Sequence, residues 1–491
     1  MSSKHPVTTQ NHPLRFWRKG QIVTIKDVPS ERTLLELLRE DLRACDTKEG
    51  CAAGDCGACT VTVADTRDGN RLNFKAVNSC IRPAHAIDGM ALWTAADLAQ
   101  EDGTLHPVQQ AMVDHHGSQC GFCTPGFVMS LFSLYQRTCT QGTTPTDPQV
   151  HDALSGNLCR CTGYRPIVDA ALAMGDAPVV QVSEAEIAHQ LQGIPVRDNR
   201  LADYTLPTTL EELLVLRSQD PQAQLIAGAT DAGLWISQGL REMPRIIDLT
   251  RVMALQVIDT GARHITIGAA ATLQQAFEAL AQERPVIHPF AQRFAGWPIR
   301  QSGTLGGNIA NGSPIGDSMP LLIALDASVV LMAWRNGHVH ERELPLTALY
   351  TGYRQSVRQP DEVLAWIRVP RPSNNEWLGV YKVSKRQEDD ISAVCLAIRI
   401  EANGSRLETV RIGAGGVAPT PARAVQTEQA LQGQADLAST WAHAQRVIAQ
   451  EFSPMSDLRA SAGYRTTLLQ NLLERARLER LGASPVRLED L

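Results

Sequence analysis

The sequence lacks any long apolar run and any excess of positive charge. Its 491 residues hold 46 Lys and Arg against 52 Asp and Glu, a net charge of -6. A phosphate backbone would be repelled, so nucleic-acid binding is not expected. The longest uncharged stretch, residues 117–136, is broken by Gly, Pro, Ser and Gln and contains two cysteines, so no membrane-spanning helix is expected. The first residues, Met-Ser-Ser-Lys-His-Pro, lack the apolar core of a secretory signal, which points to the cytoplasm. Aromatic residues make up only 5%, yet 43% hydrophobic and 20% charged content is that of a soluble packed protein. At roughly 150 residues per domain, the length suggests three or four domains.

Cysteine, in contrast, is plentiful at 11 residues. In a reducing compartment, closely spaced thiols read better as metal ligands than as disulfides. Cys51-x4-Cys56-x2-Cys59, followed by Cys80, has the plant-type spacing of a 2Fe–2S site. Glycines at 50, 54 and 57 let a tight loop wrap a cluster. Thr33-Leu-Leu-Glu36 reads as a capping box and Cys59–Val63 as a strand, together a ferredoxin-like α+β domain. Zinc is the competing occupant, although zinc loops favour two short cysteine pairs.

The second set pairs Cys120 and Cys123 with Cys159 and Cys161, which alone could also hold zinc. The adjacent ferredoxin spacing favours iron, as does Pro125, which can open a helix with Cys123 at its N-terminus. Phe127, Val128, Leu131, Leu134 and Tyr135 keep helical spacing, and another helix is expected near Asp147-Pro148. Cys45, Cys139 and Cys395 have no matching partners and read as ordinary thiols.

Residues 176–200 lose clear apolar periodicity and suit a linker. Beyond Leu201, short strands at 224–228 and 264–268 alternate with helical stretches at 209–218 and 272–282, an α+β pattern. Two glycine-containing loops, 227–231 and 303–312, could bring backbone amides close to a pyrophosphate, though by spacing alone ordinary turns are the favoured reading. Gly413-Ala-Gly-Gly-Val-Ala418 fits a relaxed dinucleotide fingerprint. It is rejected as such a site, because Pro419 and Pro421 block a helix leaving the loop and no βαβ unit precedes it.

Gln119-Cys-Gly-Phe-Cys-Thr-Pro-Gly126 and Cys159-Arg-Cys-Thr-Gly-Tyr-Arg-Pro166 closely resemble the second-cluster motifs of the xanthine oxidase family of molybdenum hydroxylases. Leu225-Ile-Ala-Gly-Ala-Thr-Asp231 and Gly306–Asp317 resemble its two flavin loops. The resemblance implies a multidomain α+β chain. Its parts would be a ferredoxin-like β-grasp 2Fe–2S domain (12–95), a helical-bundle 2Fe–2S domain (96–175), a linker (176–200), an FAD domain of vanillyl-alcohol-oxidase type (201–373) and a flavoprotein C-terminal α+β domain (374–484).

By the same resemblance, Cys51, Cys56, Cys59 and Cys80 hold one cluster, and Cys120, Cys123, Cys159 and Cys161 the other. Leu225, Ile226, Ala227, Gly228, Ala229, Thr230, Asp231, Ala232, Phe294, Thr304, Gly307, Asp317, Leu364 and Lys382 would contact FAD. Tyr353, Glu388 and Asp389 would line the approach of NAD, and Gln119 would reach toward a pterin. No residue here is expected to catalyse substrate hydroxylation. The implied activity is hypoxanthine and xanthine oxidation at a molybdopterin centre on a separate large subunit, in an α2β2 heterotetramer with NAD as acceptor. An aldehyde or N-heterocycle hydroxylase is the alternative, and a zinc-binding scaffold with a nucleotide-binding domain is the alternative of another class.

Overall fold

The computed structural model describes residues 12–66, 71–199, 202–387 and 389–484. The N-terminal Met-Ser-Ser-Lys-His-Pro, the expected domain start at Leu201, and Glu388 lie outside the described residues. The chain divides into two units. One comprises the residues up to Thr208 with Gln222–Arg251 and Gly296–Gly303, and the other comprises Thr209–Pro221, Val252–Ala295 and Thr304 onward.

The first unit begins with a five-stranded sheet ordered Gln21–Ile25, Leu14–Arg18, Ala91–Trp93, Thr60–Thr66, Leu72–Asn78. Along Thr60–Thr66 the side chains alternate between two cores, as the two-residue period of a strand requires. Val61 and Val63 join Leu14, Phe16, Leu34 and Leu38, while Ala64 joins Trp93, Phe74 and a set of helices. The expected capping box is present, with Thr33 Oγ1 accepting from the Glu36 amide and Glu36 Oε2 from the Thr33 amide.

The helix Thr124–Arg137 lies against the sheet's second face. Phe132 meets Phe74 edge-on with ring centroids 6.1 Å apart, and Thr62 Oγ1 donates to the Met129 carbonyl at 3.0 Å. Cys123 is its N-cap and Pro125 stands in its first turn, as the sequence suggested. Helices Pro107–Asp114, Asp147–Leu154 and Arg165–Ala173 complete this layer. The 176–200 stretch, expected as a plain linker, contains the helix Glu184–Gln192, whose Ile187, Ala188 and Leu191 are buried in the same core. Three apolar residues on one short face are too few to register as periodicity. A small parallel sheet, ordered Tyr204–Thr205, Ile246–Asp248, Gln224–Ile226, closes the unit.

Among its described residues the second unit holds two large antiparallel sheets and a small two-stranded one, Tyr350–Gly352 with Gln355–Ser356. The first runs His338–Pro345, Ser328–Arg335, Val363–Pro370, His264–Gly268, Ile258–Thr260, packed with helices Leu273–Glu283, Leu305–Asn311 and Ser318–Ala324. The second runs Glu376–Val383, Val394–Asn403, Arg406–Gly415, Ala422–Arg423, covered by Val425–Leu431, Ala438–Glu451 and Ala462–Arg480. Gly413 lies inside the antiparallel strand Arg406–Gly415, where a Cβ would overlap the Pro320 carbonyl; its glycine serves packing. Arg284 and Glu376 form a two-point ion pair, Nε to Oε1 at 2.6 Å and Nη2 to Oε2 at 3.1 Å, with both side chains almost wholly buried.

Candidate functional site: two thiol clusters and a flavin-loop region

In the first unit the loop 50–59 turns tightly. Ala52, Gly54 and Gly57 all have positive φ, a conformation that costs Ala52 more than the glycines. The turn aims the amides of Ala53, Asp55 and Cys56 at Cys51 Sγ, at 3.3, 3.4 and 3.4 Å. The thiols of Cys56 and Cys80 hydrogen-bond to the same sulfur, and these bonds hold the Cys51 thiol far below its ordinary range. Cys80 also bonds Cys59, lowering the Cys59 thiol despite its burial. Being donors to charged neighbours raises Cys56 and Cys80. All four predicted sulfurs are thus linked in one chain of contacts.

The second set meets in the same way. Cys123 bonds Cys159, and Cys120 bonds Cys161. Burial, then the bond to Cys159, pushes the Cys123 thiol up to about 12. Burial raises Cys159, but hydrogen bonds from the Thr162 hydroxyl at 3.2 Å and its amide at 3.5 Å more than offset this. Tyr164, at positive φ, accepts from the Cys159 amide with its hydroxyl at 3.0 Å. Gln119 is exposed.

All 11 cysteines are free, with Cys45 exposed and Cys139 and Cys395 buried. Among the described residues no three His, Cys, Asp or Glu side chains converge as a single metal ion requires. The first four thiols instead form a chain of contacts and the second four meet in two pairs, and the amide-rich loop favours charged sulfur. Eight thiols in two sets of four fit two 2Fe–2S clusters, each of which takes four cysteines.

The two sets are joined by groups that sequence reasoning missed. The Leu158 amide donates to the Cys56 carbonyl at 3.0 Å. Asn157, buried, donates from Nδ2 to the Gly57 carbonyl at 3.1 Å and accepts from Ser130 Oγ at 2.6 Å. A Cβ on Gly57 would overlap the Gly156 carbonyl, so glycine is required for this approach. The only sequence signal was the position of Gly156-Asn157-Leu158 immediately before Cys159.

The predicted flavin contacts fall in both units. In the first unit, Leu225 and Ile226 end the strand Gln224–Ile226, Gly228 and Ala229 turn with φ of 87° and 58°, and Ala232 begins the helix Ala232–Ser237. Ala227, Thr230 and Asp231 complete that loop. In the second unit, Thr304 caps Leu305–Asn311, accepting from the Gly307 amide at 3.0 Å. Asp317 and Lys382 form a buried ion pair of 3.0 Å, and Ser392 Oγ donates to the same Asp317 oxygen, Oδ2, at 2.8 Å. Among the described residues nothing donates to Asp317 Oδ1, a buried acceptor that an N–H of a bound group such as a flavin would satisfy.

Phe294 is buried against Phe277 at 5.2 Å, and Leu364 is buried on Val363–Pro370. Tyr353 is exposed, and Asp389 lies in a turn with φ of 47°. Among the described residues no helix is long and apolar enough to cross a membrane.

Four family models match consecutive parts of the chain: the 2Fe-2S iron-sulfur cluster binding domain (18–85), a second 2Fe-2S binding domain (94–172), the FAD binding domain in molybdopterin dehydrogenase (198–372) and the CO dehydrogenase flavoprotein C-terminal domain (379–480). Xanthine dehydrogenase of Drosophila pseudoobscura pseudoobscura is 34% identical over 85% of this chain and 35% of its own length. Xanthine dehydrogenase/oxidase of Gallus gallus is 31% identical over 86% of this chain and 36% of its own. Among solved structures, carbon monoxide dehydrogenase from Hydrogenophaga pseudoflava matches with a TM-score of 0.52 and 27% identity, over 57% of this chain and 96% of that one.

The chain therefore spans about a third of the length of the curated relatives it matches. In those relatives the region is one part of a longer fused chain, which overturns the expected separate large molybdopterin subunit and the α2β2 heterotetramer built on it. The four matches in this order, with the xanthine dehydrogenase relatives, identify the chain as carrying the iron–sulfur and FAD region of the xanthine oxidase family.

Proposed function

We propose that this region conducts electrons from a molybdenum centre to NAD during oxidation of hypoxanthine and xanthine. The observation that carries the reading is the junction of the two thiol sets, where the amide beside Cys159 bonds the carbonyl of Cys56. When bound, the clusters carry electrons singly and the flavin exchanges them in pairs, which is what a nicotinamide accepts.

The chain's own groups hold and tune these centres. Amides of Ala53, Asp55 and Cys56 stabilise negative charge on Cys51 sulfur. The family resemblance assigns FAD contacts to residues 225–232 in the first unit and to Phe294, Thr304, Gly307, Asp317, Leu364 and Lys382 in the second, where Lys382 balances the charge of Asp317. Tyr353 and Asp389 would border the nicotinamide approach.

A hydroxylase for another substrate is the second reading, favoured by the likeness to carbon monoxide dehydrogenase. Anaerobic addition of xanthine, and separately of NADH, to the loaded protein with its molybdenum part tests both. Bleaching by each supports the proposal. Bleaching by NADH but not xanthine moves the substrate, and bleaching by xanthine alone moves the acceptor.

A further inference from the structure

The short helix Ala232–Ser237 follows directly on the loop 227–231, and it is fixed at both ends to the backbone that carries the first thiol set. At its start, a Cβ on Gly233 would overlap the carbonyl of Ile81, the residue after Cys80, and would crowd the Ile81 side chain. Only hydrogen allows the helix so close. At its end, Ser237 Oγ and Gln238 Nε2 each donate to the carbonyl of Ala52, the residue after Cys51, at 2.8 Å. Between these points Leu234 packs on the apolar cluster of Leu35, Cys59, Cys80 and Ile81. The helix thus touches the chain beside two sulfur ligands, and its N-terminal end continues into the loop without a spacer.

We propose that Gly233, with Ser237 and Gln238, acts as a positioning element that sets the separation of the first cluster from the flavin, and so the rate at which electrons cross between them. This rests on the reading of 225–232 as a flavin loop. Per flavin reduced, two electrons cross the gap singly, each leaving the first cluster oxidised by one, and the accompanying protons come from solvent. A methyl group at 233 must push the helix off Ile81, because the atom it meets is backbone and cannot rotate away. Loss of the Ser237 and Gln238 donors frees the other end without any overlap.

The test uses the fully loaded protein, as Gly233→Ala and as the double variant Ser237→Ala with Gln238→Ala. Iron, sulfide and FAD contents and the midpoint potentials of flavin and first cluster are measured first. The flavin is then photoreduced by a light pulse, and the electrons are followed into the clusters by absorbance. Both variants are expected to keep their cofactors and potentials while this redistribution slows several-fold, more in Gly233→Ala. If Gly233→Ala fails to fold, the double variant decides, since it introduces no overlap. Redistribution at the parent rate in loaded variants overturns the positioning role and leaves the flavin reading standing. A parent protein that binds no FAD overturns the flavin reading itself.

Discussion

The amide of Leu158 donates to the carbonyl of Cys56 at 3.0 Å. A ligand of the first thiol set is therefore one hydrogen bond and one covalent step from Cys159, a ligand of the second. The contact depends on backbone alone, held in place by Asn157 beside it and by the missing side chain at Gly57.

Asn157→Ala should loosen this junction. Its amide group satisfies the Gly57 carbonyl and the Ser130 hydroxyl, both in buried surroundings. Leaving such partners unsatisfied costs about 1–3 kcal/mol. Denaturant titration should show a loss of that order, and an unchanged midpoint would mean that the junction is not held by this residue.

Cys123→Ser should remove one centre and spare the other. Cys123 bonds Cys159, and its loss leaves three thiols in the second set. Iron and sulfide should fall by about half, with the signal of the first cluster intact in electron paramagnetic resonance. Full iron content in the variant would refute this ligand assignment.

At Asp317 the expectation concerns both folding and flavin. Asp317→Ala strands Lys382 as a buried unpaired charge, a loss of about 3–5 kcal/mol. Asp317→Asn keeps the size of the side chain but puts the Oδ1 acceptor and the ion pair at risk together. Flavin fluorescence after heat release should show depleted FAD in both variants, and a full complement in either would remove Asp317 from the flavin site.

Stability should fall with acid in a defined window. Burial, helped by the positive charge of Arg197, lowers His85 to about 4, and burial lowers His106 to about 4, from an ordinary 6.5. The unfolded chain therefore binds more protons than the folded one between about 6.5 and 4. The stabilisation is complete above 6.5 and is lost as pH falls toward 4, on the order of 3 kcal/mol per histidine. Urea unfolding of the parent and of His106→Gln should show a shallower pH slope in the variant; equal slopes would mean that His106 does not titrate in this way.

How much of this was readable beforehand depended on how local the cause is. The thiol sets were legible because ligands close in sequence must leave a spacing, and Pro125 marked its helix because it restricts the first turn. The junction was not legible, since Asn157 and Gly57 are 100 residues apart and the Leu158 contact uses no side chain. The helix Glu184–Gln192 was hidden by its polar face. Asp317 and Lys382 were singled out by family resemblance, but their pairing and the role of Ser392 came only from the fold. The separate subunit was an inference about arrangement, and the fused relatives corrected it.

The central claim is that two 2Fe–2S clusters and a flavin share this chain. Iron, acid-labile sulfide and FAD should be assayed on the purified protein, with visible spectra before and after NADH. The account predicts about four irons, four sulfides and one flavin per chain, with a brown colour that NADH bleaches. Zinc in place of iron, in a colourless protein without flavin, would contradict it.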